Sequence, residues 1–183
     1  MGRTIENIRK IQNVGGRIEV EVDIPLFGKA VLPDVFLMST RWWADFMAGI
    51  SVVAGSKAIG PVLYYSAYRL MKSHNEKGIV PMREKFGKDE LFRIAFSIFE
   101  TLGFGKIEKI EMEDNSVRVL VSNSFEARRR KSKEPVCRFV AGILAALVED
   151  ILRVRIGPME EVRCQATGDD FCEFRAEVME AIP

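Results

Sequence analysis

The stretch that most restricts the fold runs from Glu134 to Val154, EPVCRFVAGILAALVEDILRV, the longest helical pattern in the chain. Val136, Val140, Ile143, Leu147, Ile151 and Val154 recur at helical spacing and form a core stripe. Ser132 and Pro135 are expected to open this helix and Gly157-Pro158 to end it. Strand patterns stand on both sides of it. Before it, KIEKIEMEDNSVRVLV reads as a hairpin around Asp114-Asn115, with Ile107 and Lys109 followed by Val117, Val119 and Val121. After it, EEVRCQATGDDFCEF reads as two strands around Gly168. A long apolar helix between two hairpins must lie across the sheet they build.

The remaining segments fit that plan. Residues 17 to 24, RIEVEVDI, alternate without a fault, with Ile18, Val20, Val22 and Ile24 on one face. Pro25, Phe27 and Gly28 then punctuate the chain before the run AVL, so an N-terminal hairpin is expected. Its apolar face needs the body or a second subunit to cover it. From Thr40 to Lys72 the pattern is helical, with Trp42, Trp43, Phe46 and Ile50 at helix-like spacings and Pro61 expected in the first turn of a second helix closed by Gly78. The small residues Ala48, Gly49, Ala54, Gly55 and Gly60 suit close helix packing. Asp89 is the expected cap of a third helix, whose Phe92, Phe96 and Phe99 form a stripe and which stops at Gly103. The predicted fold is α/β of the α+β kind: helices packed on an antiparallel sheet, with an N-terminal β-hairpin arm over 1–39 and one ligand-binding domain over 40–183, together one compact unit.

Composition excludes some function classes. At 183 residues the chain suffices for one well-packed domain, and 48% hydrophobic with 29% charged residues argues against disorder. The net charge of +1 gives no electrostatic case for nucleic acid. The run Arg128, Arg129, Arg130, Lys131, Lys133 reads as a solvated loop. No apolar run reaches the roughly 18 residues of a membrane span, and the N-terminus lacks the apolar stretch of a secretory signal. A cytoplasmic protein is expected, where three cysteines are thiols or metal ligands rather than a disulfide framework.

Those cysteines form the one constellation with chemical content. A three-residue loop centred on Gly168 would set Cys164 opposite Cys172, with Cβ atoms about 5 Å apart. That separation suits two thiolates on one zinc, a disulfide, or two buried thiols. Cys137, in the early turns of the long helix, could bring a third sulfur to them. Glu161 would complete four ligands, but 161 and 164 lie on opposite faces of a regular strand, so Glu161 must precede the strand or sit at a bulge. Three thiolates and a carboxylate also leave two negative charges in excess over a zinc ion. Arg138 and Arg163 are expected to offset some of that.

The segment VCRFVAGILAALVEDILRVRIGPMEEVRCQATGDDFCEF resembles the 4-vinyl reductase domain family: a Cys before a Gly-containing helix, then Glu-x-x-Cys, then Ala-x-Gly-Asp-x-x-Cys-x-Phe. The element order is similar to that family and to subunits of the TRAPP vesicle-tethering complex. The resemblance implies a compact domain, often dimeric, that binds a small hydrophobic molecule between helices and sheet. From the related sensory domains of phenol-responsive activators it implies a structural zinc held by Cys137, Glu161, Cys164 and Cys172. Iron is compatible with the same ligand types. Those sensors bind the ligand hydroxyl with a His and a Trp. Here the only His, His74, lies in the polar SHNEKG, and Trp42 and Trp43 are in the first helix, so a phenol is not expected.

The expected function is therefore non-enzymatic binding of a small hydrocarbon, aromatic or lipid-like molecule by a zinc-braced homodimer. Phe92, Phe96, Phe99, Val119, Val121, Val140 and Leu144 are the expected pocket lining, though such residues also make an ordinary core. A reductase acting on a tetrapyrrole-like substrate would need a hydride source, and there is neither a Gly-x-Gly-x-x-Gly fingerprint after a strand nor a P-loop. A scaffold or adaptor working through helix faces is the third reading.

Overall fold

The computed structural model describes residues 8–24, 28–32, 38–113 and 115–182. Pro25, Phe27 and the turn residue Asp114 lie outside the described residues, as do 1–7 and 33–37 of the expected arm.

The chain folds as helices laid on antiparallel sheet. Its centre is α5, Arg138–Leu152, in which every residue from Val140 to Ile151 is buried. Each aliphatic side chain sealed this way contributes about 1.5 to 3 kcal/mol. The helix starts later and ends earlier than its pattern suggests. Cys137, not a residue near Pro135, is the N-cap, and Arg153 in the left-handed region (φ 56°) ends it before Gly157-Pro158. This early stop releases a short strand, β6 (Val154–Ile156), that sequence periodicity hides inside the helix.

One face of α5 meets the main sheet. Strands β4 (Lys106–Glu113) and β5 (Ser116–Ser122) form the expected hairpin, and the order β4-β5-β8-β6 is completed by β8, Cys172–Ala181. The short strand β7, Glu160–Arg163, also pairs with β8. Val117, Val119, Val121, Phe174 and Ala176 point inward from β5 and β8. The other face of α5 meets α2, Ser56–Lys77. The close approach comes from Gly142, where an added Cβ would stand 2.2 Å from the Tyr64 carbonyl oxygen and 3.0 Å from Ala67. The small residues expected to serve that purpose do not: Cβ atoms at Gly49 and Gly55 would meet nothing within 4 Å.

Helix α1 (Thr40–Ala54) is capped by Ser39 and ends at Gly55. Pro61 sits inside α2, not in its first turn. A single turn, α3 (Ile79–Met82), leads to α4, Lys88–Thr101. The N-cap of α4 is Gly87, whose N–H donates to Glu90; Asp89 instead adds charge to the first turn. Gly103 (φ 80°) follows its end, as expected. Among the described residues, no helix is long and apolar enough to cross a membrane.

The N-terminal part is a three-stranded antiparallel sheet rather than a lone hairpin: β1 (Ile8–Val14), β2 (Arg17–Ile24) and β3 (Gly28–Leu32). The polar sequence IRKIQNV carries little alternation, so β1 is not legible from pattern. Val20 and Val22 are buried, and β2 packs against α4, so the body of the chain itself covers that face.

Candidate metal centre

Three elements converge at the N-terminus of α5. Cys137 enters as its N-cap, Glu161 from β7, and Cys164 and Cys172 from either side of a loop containing a 3-10 turn, Gln165–Thr167. All three cysteines are fully buried and none is in a disulfide. Cys137 Sγ lies 3.9 Å from Cys164 Sγ and 3.7 Å from Cys172 Sγ, and one ligand atom from each of the four residues lies within 4.8 Å of the others. Sulfurs at two corners of a tetrahedron around zinc, each about 2.3 Å from the metal, are about 3.8 Å apart. A disulfide would require about 2.05 Å. The spacing is that of a coordination shell.

The parity of Glu161 is resolved by a bulge. β7 pairs Glu161 with Phe174 and Arg163 with Glu173, so the register slips by one residue at Val162. Val162 and Arg163 both face outward, and Glu161 and Cys164 both face inward. Glu161 Oε2 accepts the Cys137 N–H at 2.7 Å, while its Oε1 is buried with no hydrogen-bond partner among the described residues. A buried carboxylate oxygen left over beside three sulfurs is an acceptor suited to a cation. The buried cluster of three cysteines and one glutamate can therefore hold a metal ion.

The local electrostatics point the same way. Burial pushes the Glu161 carboxyl up to about 7. Hydrogen bonding with Cys137, then Cys172, draws Cys164 well below the usual thiol range, and the bond to Cys164 pushes Cys137 up. Without a cation the cluster thus concentrates charge on one sulfur. The expected arginines do not offset it: Arg163 pairs with Glu173 at 3.9 Å, and the Arg138 side chain lies over Gly60. Neutral donors do so instead. Ser124 O–H donates to Cys137 Sγ at 3.2 Å, and the amides of Gln165 and Ala166 donate to Cys172 and Cys164, each at 3.4 Å. Asp169 fixes the loop by accepting the Cys164 N–H.

Sequence pattern missed Ser124 and Glu126, which lie in the connection between β5 and α5. Glu126 is buried, accepts the Val140 N–H at 2.9 Å, and so caps α5 in place of a side chain at the N-cap. Desolvation pushes its carboxyl up to about 8. The seven apolar residues expected to line a pocket come together, but as filled core: all belong to or pack on the main buried cluster. A groove of about 1010 Å³ opens elsewhere, lined by residues of α1, α2, the β5–α5 connection and 158–160. His74 is exposed and bonds the Leu70 carbonyl; Trp42 is exposed, and Trp43 packs on Phe125 and Phe139.

A family model for the vinyl-4-reductase domain matches residues 117–178, which include all four cluster residues. An uncharacterized protein of Methanocaldococcus jannaschii is 28% identical over 128 residues, 64% of this chain and 54% of its own length. A second uncharacterized protein of that organism is 43% identical over 47 residues, 26% of this chain and 25% of its own. The chain thus spans about half the length of one of these relatives and a quarter of the other. Among solved structures, the phenol-responsive sensory domain of the transcription activator PoxR, with phenol, is similar at a TM-score of 0.68 and 12% identity, covering 92% of this chain and 84% of that one. A vinyl-4-reductase family protein from Methanocaldococcus jannaschii gives 0.52 and 23%, covering 80% and 85%. Trafficking protein particle complex subunit 3 from Naegleria fowleri, covalently bound to palmitic acid, gives 0.55 and 14%, covering 79% and 97%. At these identities the likeness is one of fold. With that fold and with the matched segment, residues 117–178 of this chain carry the vinyl-4-reductase domain.

Proposed function

We propose that this chain is a non-enzymatic binding module for a small hydrophobic molecule, a homodimer braced by a structural zinc at Cys137, Glu161, Cys164 and Cys172. The observation that carries the zinc is the sulfur spacing of 3.7 and 3.9 Å beside the orphaned Glu161 oxygen. Zinc would supply charge neutralisation and four bonds, joining the start of α5 to the β7–β8 loop. A shell closed by four protein ligands leaves no position for substrate, so the cluster serves as a brace. Ligand binding is supported by the fold shared with a sensory domain that holds phenol and with a subunit that holds palmitate.

Metal analysis of protein purified without chelator tests the brace. One zinc per chain is expected, falling below a tenth of that in Cys164→Ser and Glu161→Ala; equal metal content in all three would sink it. Ligand binding is checked by melting temperature with aromatic and aliphatic compounds, where no shift with any of them counts against the reading.

A second reading, an adaptor acting through helix faces, is favoured by one observation. Val52 and Val53 of α1 are 87% and 89% exposed, and Trp42, Phe46, Val62 and Tyr65 add to an apolar surface on α1 and α2. Light scattering at micromolar concentration separates the two. A dimer supports the leading reading, and a monomer that captures a different protein supports the adaptor.

A further inference from the structure

The groove and the metal cluster share their walls. The connection from Glu126 to Arg138 lines the groove on one side and delivers Cys137 to the cluster. Pro158, Met159 and Glu160 line it next to Glu161. Ser132 N–H donates to Ala166 O at 2.8 Å, tying the same connection to the cysteine loop. The groove wall is therefore held from behind by the residues that would hold the metal.

Its floor has a definite chemistry. Met47, Glu126 and Met159 are buried, and Tyr64 is half-buried with its oxygen accepting the Met159 N–H at 3.1 Å. Ile59, Leu63 and Val136 extend the apolar wall. The charged groups lining it are Arg130 and Arg138 against Glu126, Glu134 and Glu160, a near balance that draws neither an anion nor a cation. Only Glu126 among them is buried. The volume of about 1010 Å³ is at the upper end for small-molecule sites, which combine apolar walls with a few convergent polar groups.

We propose that this groove, rather than the filled core beneath α4, is the ligand site, and that it takes a lipophilic molecule with one uncharged oxygen head, a hydroxyl or a carbonyl, set at Glu126. This rests on the ligand-binding reading above and assigns its place and ligand class. An alkyl or aryl body covers Met47, Ile59, Leu63 and Met159, while the head exchanges a hydrogen bond with a carboxyl that burial keeps largely protonated at neutral pH. A charged head would gain no matching charge on that floor and would lose its hydration.

Isothermal titration of the full, zinc-loaded chain with octan-1-ol, 2-octanone, octylamine and octanoate at neutral pH tests the proposal. The alcohol and the ketone should bind at least tenfold tighter than the amine and the acid. Ile59→Trp, which fills the groove, should weaken octanol at least tenfold; should it not fold by circular dichroism, Ser51→Phe on the facing helix does the same. Glu126→Gln keeps an acceptor for the Val140 amide and a neutral donor toward the groove, so octanol should stay within about threefold of the unsubstituted chain. Octanol binding unchanged by filling the groove would overturn the location and leave ligand binding intact. Tighter binding of octylamine, or a tenfold loss in Glu126→Gln, would overturn the uncharged head. Silence of the whole series in the unsubstituted chain would remove the ligand-binding reading itself.

Discussion

The two ends of α5 are both wrapped in buried charge, and they are balanced differently. At its C-terminal end Glu149 and Asp150 are buried, an unfavourable place for acids by the helix dipole. Each is answered from α2 or beyond: Lys72 Nζ donates to Asp150 at 2.6 Å and lies 3.4 Å from Glu149, Tyr68 O–H donates to Glu149 at 2.6 Å, Asn75 donates to Asp150 at 2.8 Å, and Arg83 lies 3.5 Å from it. Burial, and then the bond to Glu149, raise the Tyr68 phenol well above its usual value, so it remains a donor. At the N-terminal end three thiols and two carboxyls meet, and no side-chain cation contacts the Glu161 oxygen left over among the described residues. One end is complete with protein atoms alone. The other is arranged for a cation from outside, and that difference separates a structural ion network from a metal site more sharply than burial does.

The strongest test of the contrast is to remove the metal from one end. Chelation or Cys172→Ser should cost on the order of 5 kcal/mol, seen as a melting temperature lower by about 10 °C or more, with the apo protein regaining it on adding zinc. At the other end chelators should change nothing, while Lys72→Met strands two acids and should cost about 3 kcal/mol in urea unfolding. A metal-sensitive loss in Lys72→Met would break the comparison. Between the two ends, Gly142→Ala forces α2 off α5 and should cost about 1 to 3 kcal/mol with metal content unchanged. Smallest is Tyr68→Phe, about 1 kcal/mol, because Lys72 and the Ile156 amide still serve Glu149.

How legible each end was follows from its physics. The four ligand residues could be found because cysteine spacing, a Gly-Asp turn and a family likeness all bear on them, and even the bulge could be inferred from strand parity. The C-terminal network could not. Lys72 and Asp150 are 78 positions apart, and nothing local marks which of many charges will be buried together. The helix limits of α5 failed for a similar reason: Val136 and Val154 continue its stripe, but cap geometry at Cys137 and Arg153, not hydrophobicity, ended it. The groove was missed because it is lined by a connection without periodicity. The Phe stripe of α4, by contrast, was found and is simply core.

The bulge at Val162 also has a consequence for how such a site can be lost. Val162 is about half exposed and its side chain ligates nothing, so its chemical identity is free to drift. Its presence is not. Deleting that single residue would restore plain alternation in β7, swing the Glu161 carboxylate out to water and leave a three-sulfur cluster. The site is thus robust to misspelling at this position and intolerant of miscounting.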